Sequence, residues 1–266
     1  MKKLALAFLL LSSTAYAADL PVKAASPVAI PFSWTGGYVG INGGGGWATQ
    51  DQSLGGTNAV GSFAIATGLV PASIATRGGG GMVGGTLGYN YQYNSYIVFG
   101  AEFDMDWADI GGSGGETLSG APLKIPVSIT STGSEKLKWL GTLRVRAGYL
   151  LTPTTFAYAT GGLAFGQADS AVNISLSAPA PFAASVGNDS SSTKTGWTIG
   201  AGVEQRLWDR WSIKGEYRYV DLGSIGQNLG ATIAPTTRFA TPVSFNTNQD
   251  LRYNIVLIGL NYKFYP

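Results

Sequence analysis

The chain of 266 residues carries 17 Lys and Arg, 15 Asp and Glu, 39 Gly, and neither Cys nor His. That composition excludes disulfides, lipid attachment at a cysteine, thiolate and imidazole metal sites, and Ser–His or Cys–His catalysis. Charged residues are 12% of the chain, about half the share usual in soluble domains, and no basic tail or patch of the kind that binds nucleic acid is present.

The first segment, 1–17, reads as a secretory signal. Lys2 and Lys3 form a basic start, Leu4 to Leu11 a short apolar core, and Ala15-Tyr16-Ala17 an A-x-A cleavage site. Removing Lys2 and Lys3 leaves 15 residues of each sign, so the basic isoelectric point carries no information about partners. The apolar core is too short to span a bilayer as a helix, and no later run of about 18 apolar residues follows. Residues 18–33, rich in Pro and Ala, read as a flexible lead-in, and 34–266 as a single domain.

From Trp34 onward the chain alternates with a period of two, the signature of strands with one apolar and one polar face. The first strand, Thr35 to Trp47, sets Val39, Ile41 and Trp47 on one face. The second, Met82 to Tyr93, sets Val83, Leu87, Tyr89, Tyr91 and Tyr93 against Asn90 and Gln92. In the third, Tyr96 to Trp107, Ile97, Phe99, Phe103, Met105 and Trp107 alternate with Glu102, Asp104 and Asp106. The fourth, Leu137 to Tyr149, has Leu137, Trp139, Leu143, Val145 and Tyr149 on its apolar face and Lys138, Arg144 and Arg146 opposite. Thr155 to Phe165 is a fifth strand with small and aromatic residues on both faces, so its faces are not assigned. The sixth, Gly196 to Leu207, sets Trp197, Ile199, Val203 and Leu207 against Glu204 and Arg206. The seventh, Trp211 to Val220, sets Trp211, Ile213, Tyr217 and Tyr219 against Lys214, Glu216 and Arg218. The eighth, Leu251 to Phe264, is the most apolar, with Val256, Ile258, Leu260, Tyr262 and Phe264 on one face.

Aromatic residues mark strand ends. Trp139 and Tyr149 bracket an apolar face. A strand tilted by about 40–45° climbs roughly 2.4 Å per residue, which places the two rings about 24 Å apart, close to the apolar band between the aromatic girdles of a transmembrane barrel. The expected girdle comprises Trp47, Trp107, Trp139, Tyr149, Trp197, Trp211, Tyr219, Tyr262 and Phe264. Connections are tight near Asn94-Ser95, Thr152 to Thr154 and Trp208 to Arg210. They are long over 48–81, 109–135, 167–195 and 221–250. Alternating short and long connections are routine in such barrels, with the short turns periplasmic and the long loops outside. A soluble β-sandwich is the rival, but strands of about 11–14 residues exceed its usual 5–6. The expected fold is therefore all-β, an eight-stranded antiparallel up-and-down transmembrane β-barrel with four long extracellular loops and three short periplasmic turns.

An eight-stranded barrel has an interior only wide enough to be filled by side chains. The inward residues here are Glu102, Asp104, Asp106, Lys138, Arg144, Arg146, Glu204, Arg206, Lys214, Glu216 and Arg218. Buried charges are costly unless paired, and both signs are well represented, so the expected lumen is a plug of ion pairs. Placing Leu207 opposite Trp211 sets Glu204 across from Lys214. A shift by two sets Glu204 against Glu216 and Arg206 against Lys214, which is repulsive. The first register is predicted.

Several segments look like those of one known family: Phe32 to Asn42 followed by Gly43 to Trp47, Gly84 to Gln92, Thr142 to Tyr149, Tyr158 to Ala164, and Lys214 to Tyr219. The chain resembles the small "porin family" outer-membrane surface antigens of Gram-negative bacteria, also called outer membrane immunogenic proteins. The resemblance implies an OmpA-like eight-stranded barrel in the outer membrane. It implies roles in envelope integrity and surface antigenicity, and for some members haemin binding or limited pore activity. Expected partners are outer-membrane lipid and lipopolysaccharide, the barrel-assembly machinery during insertion, and a host or haemin ligand at the extracellular loops. Such barrels usually finish on an aromatic residue, whereas here Tyr265 and Pro266 follow Phe264.

No cofactor, metal or catalytic constellation is expected. The run Gly43 to Gly46 lacks the lysine and hydroxyl of a P-loop and precedes no helix. Glu102, Asp104 and Asp106 share one strand face and could suit a hard cation, but pairing with Arg144 and Arg146 is the simpler reading. Without histidine an outer-membrane enzyme loses its usual general base. Three classes are weighed: a plugged surface barrel, a small diffusion porin for polar solutes and, disfavoured by the missing histidine, an outer-membrane enzyme; a haemin-binding surface protein is a further, weaker branch.

Overall fold

Eight strands run up and down in chain order, each antiparallel to its neighbours, and the last returns to the first: β1 (Gly36–Gly56), β2 (Ser73–Gln92), β3 (Ile97–Gly120), β4 (Val127–Thr152), β5 (Thr155–Ser177), β6 (Ala184–Trp208), β7 (Trp211–Ile233) and β8 (Thr241–Lys263). This computed structural model describes residues 32–120, 126–177, 184–233 and 241–264. The signal segment, most of the lead-in, and Tyr265 and Pro266 lie outside the described residues. Closure satisfies every backbone group that would otherwise face lipid, where water is absent. The exposed side chains of the lower barrel are apolar or aromatic, among them Ile41, Val83, Phe99, Leu143, Leu163, Ile199 and Ile258, as the outside of a membrane barrel requires.

The turns at the lower end are tight. Asn94 accepts hydrogen bonds from the backbone N–H of Tyr96 and Ile97, both at 2.8 Å, an Asx turn that reverses the chain within four residues. Asp209, with φ of 43°, takes the left-handed conformation needed in the two-residue β6–β7 turn. Leu207 is bulged out there, and Trp208 pairs with Trp211. The predicted register still holds: Glu204 lies across from Lys214.

The strands are far longer than expected, with 24 residues in β3 and 26 in β4. At the tilt used above, β3 climbs roughly 57 Å, about twice the hydrocarbon thickness. Most of the segments expected as long loops therefore continue the barrel wall above the membrane. The remaining upper connections are 57–72, 121–126, 178–183 and 234–240. The first holds a short helix, α1 (Ala59–Ala66), whose N-terminus is capped by the Asn58 side chain accepting from Gly61 N–H. The extension escaped the sequence because its outer face is wet. Above the girdle the alternation inverts, with Val172, Ile174, Ile225 and Leu229 inside and Asn173, Ser175 and Asn228 outside.

A β-bulge marks the change. On β4, Leu137 pairs with Ala168 and Trp139 with Gln167, so Lys138 is an extra residue. Below it the even positions Leu140, Thr142, Arg144 and Arg146 point inward; above it the odd positions Leu137, Glu135 and Ser131 do. Leu137, expected on the lipid face, is thus 0% exposed inside the barrel. On β7, Gly223 with φ of 77° plays the same part between Asp221 and Ser224.

The barrel also parts above the membrane. Pairing of β6 with β7 stops at Trp197 and Asp221, and pairing of β2 with β3 stops at Arg77 and Ser113. Beyond those points β3–β4–β5–β6 and β7–β8–β1–β2 form two four-stranded layers. Leu54, Ile74, Leu229 and Phe245 from one pack with Val172 and Ile174 from the other, and α1 adds Ala64 and Ile65. The upper part of the barrel thus encloses a second apolar core of its own.

Candidate functional site

The interior is built in levels. Lowest is an aromatic level of Trp34, Val98, Leu150, Phe156 and Tyr158. Phe156 and Tyr158 assign the inward face of β5, the strand whose faces the sequence left open. Next comes a charged level, and above it an apolar one containing Met82, Ile110, Leu137, Leu140, Val220, Leu222, Ile255 and Leu257.

The charged level is centred on Arg144. Its Nη2 lies 2.5 Å from Glu102 Oε1 and 2.7 Å from Asp104 Oδ2, and its Nη1 2.5 Å from Glu216 Oε1. Arg146 bridges Glu102 at 3.1 Å and Glu204 at 2.6 Å. Arg218 reaches Glu216 at 3.0 Å and lies 3.5 Å from both Asp104 and Asp106, while Lys214 donates to Glu102 at 3.0 Å. All nine side chains are buried. Glu204 and Lys214 are register partners, yet each binds elsewhere: Glu204 takes Arg146, Ser212 and Asn261. The long side chains reach across the lumen rather than to the neighbouring strand.

Neutral groups complete the level, and these were missed from sequence. Tyr38 donates to Glu102 at 2.6 Å and accepts from Arg146 at 2.8 Å. Tyr158 donates to Glu216, and its ring lies 4.0 Å beneath the Arg146 guanidinium. Thr86 and Thr142 donate to Asp104. A signal existed for Tyr38, which falls on the inward parity between Val39 and Gly37. Glycines provide the space: a Cβ at Gly88 would stand 2.3 Å from the Tyr38 ring, and one at Gly202 would stand 2.7 Å from that of Tyr158.

Two residues expected in the lumen are elsewhere. Lys138 lies on the outside because of the bulge, paired with Asp169 at 2.6 Å. Arg206 keeps its inward parity but sits at the lower mouth, its guanidinium 4.3 Å from the Phe32 ring and its Nε donating to Asp209 O. All nine girdle residues point outward, Trp107 most of all at 70% exposure. Trp107 and Trp139 are cross-strand partners at the upper rim. Tyr149 at the lower rim stacks on Tyr96 with ring centroids 5.6 Å apart. Just above the upper rim lie exposed ion pairs, Lys136 with Asp109 and Arg252 with Asp221 and Asp250. Among the described residues no group of three or more acidic side chains is arranged to hold a metal ion.

Comparison with known proteins agrees with this architecture. The outer membrane protein beta-barrel domain family matches residues 4–264. The 31 kDa outer-membrane immunogenic protein of Brucella melitensis is 36% identical over 95% of both chains. The 25 kDa outer-membrane immunogenic protein of Brucella abortus is 31% identical over 97% of this chain and 94% of its own. The 22 kDa outer membrane protein of Rhizobium leguminosarum is 31% identical over 71% of this chain and 68% of its own. Among solved structures, the outer membrane protein OprG of Pseudomonas aeruginosa aligns with a TM-score of 0.46 at 11% identity, covering 87% of this chain and 98% of its own. With its closed eight-stranded barrel and girdled apolar wall, the chain belongs to the outer-membrane β-barrel domain family and resides in the bacterial outer membrane.

Proposed function

We propose that the protein is a sealed, non-catalytic barrel that carries a rigid, antigenic structure out from the outer membrane and supports envelope integrity. One observation carries this reading: the charged level is roofed by an apolar level. Ion pairs alone leave room for water between them. Above them Ile110, Leu137, Leu140 and Leu222 have at most 1% of their surface exposed, and a dry layer of this kind gives a hydrated solute no partners. This favours a plugged lumen over a diffusion porin.

The exposed part fits a surface antigen. Its wall is polar outside and its two-layer core is apolar, so it is held in one shape, and the curated relatives are named as immunogenic proteins. Lys136 and Arg252, just above the tryptophans, stand where phosphates of lipopolysaccharide would meet the wall. Swelling of proteoliposomes in small sugars and amino acids tests the seal: a rate equal to that of protein-free liposomes is expected, and faster swelling overturns it. Intact cells should bind antibody raised against the upper layers, and a deletion strain should become more sensitive to detergent.

A further inference from the structure

The lowest level of the interior is completed by a residue that does not belong to the wall. Trp34 precedes β1, yet it is 2% exposed and packs with Val98, Leu150, Phe156 and Tyr158. Its ring lies 5.5 Å from that of Phe156, centroid to centroid, and Phe32 meets it edge-on at 5.2 Å. Its indole Nε1 donates to Pro153 O at 3.3 Å, in the β4–β5 turn. In a closed ring of eight, β1 and β5 are four strands apart in either direction. The segment 32–35 therefore crosses the lower mouth before it enters the wall.

The crossing is tied down from several sides. The Trp34 N–H donates to Gln92 Oε1, and Thr35 Oγ1 accepts from the Gln92 N–H, both at 2.9 Å. Lys263 Nζ, at the end of β8, donates to Ser33 O. The same Nζ lies 4.8 Å from the Phe32 ring, and the Arg206 guanidinium 4.3 Å from it, as cation–π partners. Anchors on β2, β5, β6 and β8 are brought together only when the barrel closes, so the segment seats only then. Directly above it is the charged level, whose Arg146 guanidinium lies 4.9 Å from the Phe156 ring. The apolar level shields those charges from above and does nothing for them from below.

We propose that residues 32–35 form a strap that shuts the periplasmic mouth, with Trp34 as its stopper, and keeps the charged level dry from below. It is a second closure, separate from the apolar level. Ion pairs are electrostatically stronger in such a water-free surround, and water admitted through the mouth would screen them.

The chain has no cysteine, so a single introduced thiol reports access. Val98→Cys places one in the aromatic level of the full-length protein folded in detergent. With the strap intact it should react slowly with a negatively charged methanethiosulfonate. Adding Trp34→Ala should speed the reaction by about tenfold or more. Gln92→Ala, which frees the Trp34 N–H but keeps every ring, should give a smaller rise, and serves if Trp34→Ala does not fold. Equal rates in all three backgrounds would overturn the strap. In planar bilayers Trp34→Ala should still show no openings, because the apolar level is untouched. Openings there would sink the apolar seal and leave the strap as the closure of the lumen.

Discussion

Arg144 Nη1 and Glu216 Oε1 lie 2.5 Å apart, tying β4 to β7 across the lumen, three strands away around the wall. Arg144 also holds Glu102 and Asp104 on β3. Removing it leaves three buried carboxylates short of a partner. Arg144→Ala should therefore destabilise the folded barrel by about 3–5 kcal/mol. Combining Arg144→Met with Glu216→Gln should cost less than the sum of the two singles, by about 0.5–3 kcal/mol. Urea unfolding in detergent micelles reads both, and strict additivity would show that the strap carries no coupling.

A Cβ at Gly88 would stand 2.3 Å from the end of the Tyr38 ring. Gly88→Ala drives a methyl into the Tyr38 ring, which cannot move without leaving Glu102 and Arg146. A cost of about 1–3 kcal/mol is expected for such overpacking. In a Tyr38→Leu background, which removes the ring end, the same substitution should cost clearly less. Equal costs in the two backgrounds would contradict this packing.

Two substitutions separate the wall from the water above it. Val145, 69% exposed, faces lipid, so Val145→Arg should cost about 2–4 kcal/mol if it lies near the midplane and should reduce insertion into vesicles. Lys138 lies outside the lumen beside Asp169, so Lys138→Ala should cost no more than about 1 kcal/mol. A loss as large as that for Arg144→Ala would return Lys138 to the interior.

The parted seam predicts a pattern of hydrogen exchange. Between Ala184 and Gly196, β6 is paired to β5 but not to β7. Its amides bonded to β5 should be protected, and the alternate amides facing the seam should exchange quickly. Uniform protection along this stretch would mean that the barrel stays closed to the top.

Within the membrane the sequence is legible because lipid demands apolar residues on one face and the lumen accepts polar ones. The strands from Val83 to Tyr91 and from Phe99 to Trp107 follow that rule residue by residue. Charge sets the β6–β7 register through Glu204 and Lys214. Above Trp139 the solvent changes from lipid to water, the rule inverts, and Val172 and Ile225 look like scattered residues of a loop. Lys138 was misplaced because strict alternation has no sign for an inserted residue. Glu102 and Lys214 were on the inward face from parity alone, but their pairing is not, since long side chains choose partners across the lumen. Nothing local marks the burial of Glu135 either, because its hydrogen-bond partners Tyr253 and Gln249 come from β8.

Single-channel recording in planar lipid bilayers tests the seal most directly. Wild-type protein, refolded and inserted, should show no stable openings of porin size, because the apolar level around Leu137 and Leu140 closes the lumen above the Arg144 network. Stable, reproducible openings of that size in the wild type would contradict it.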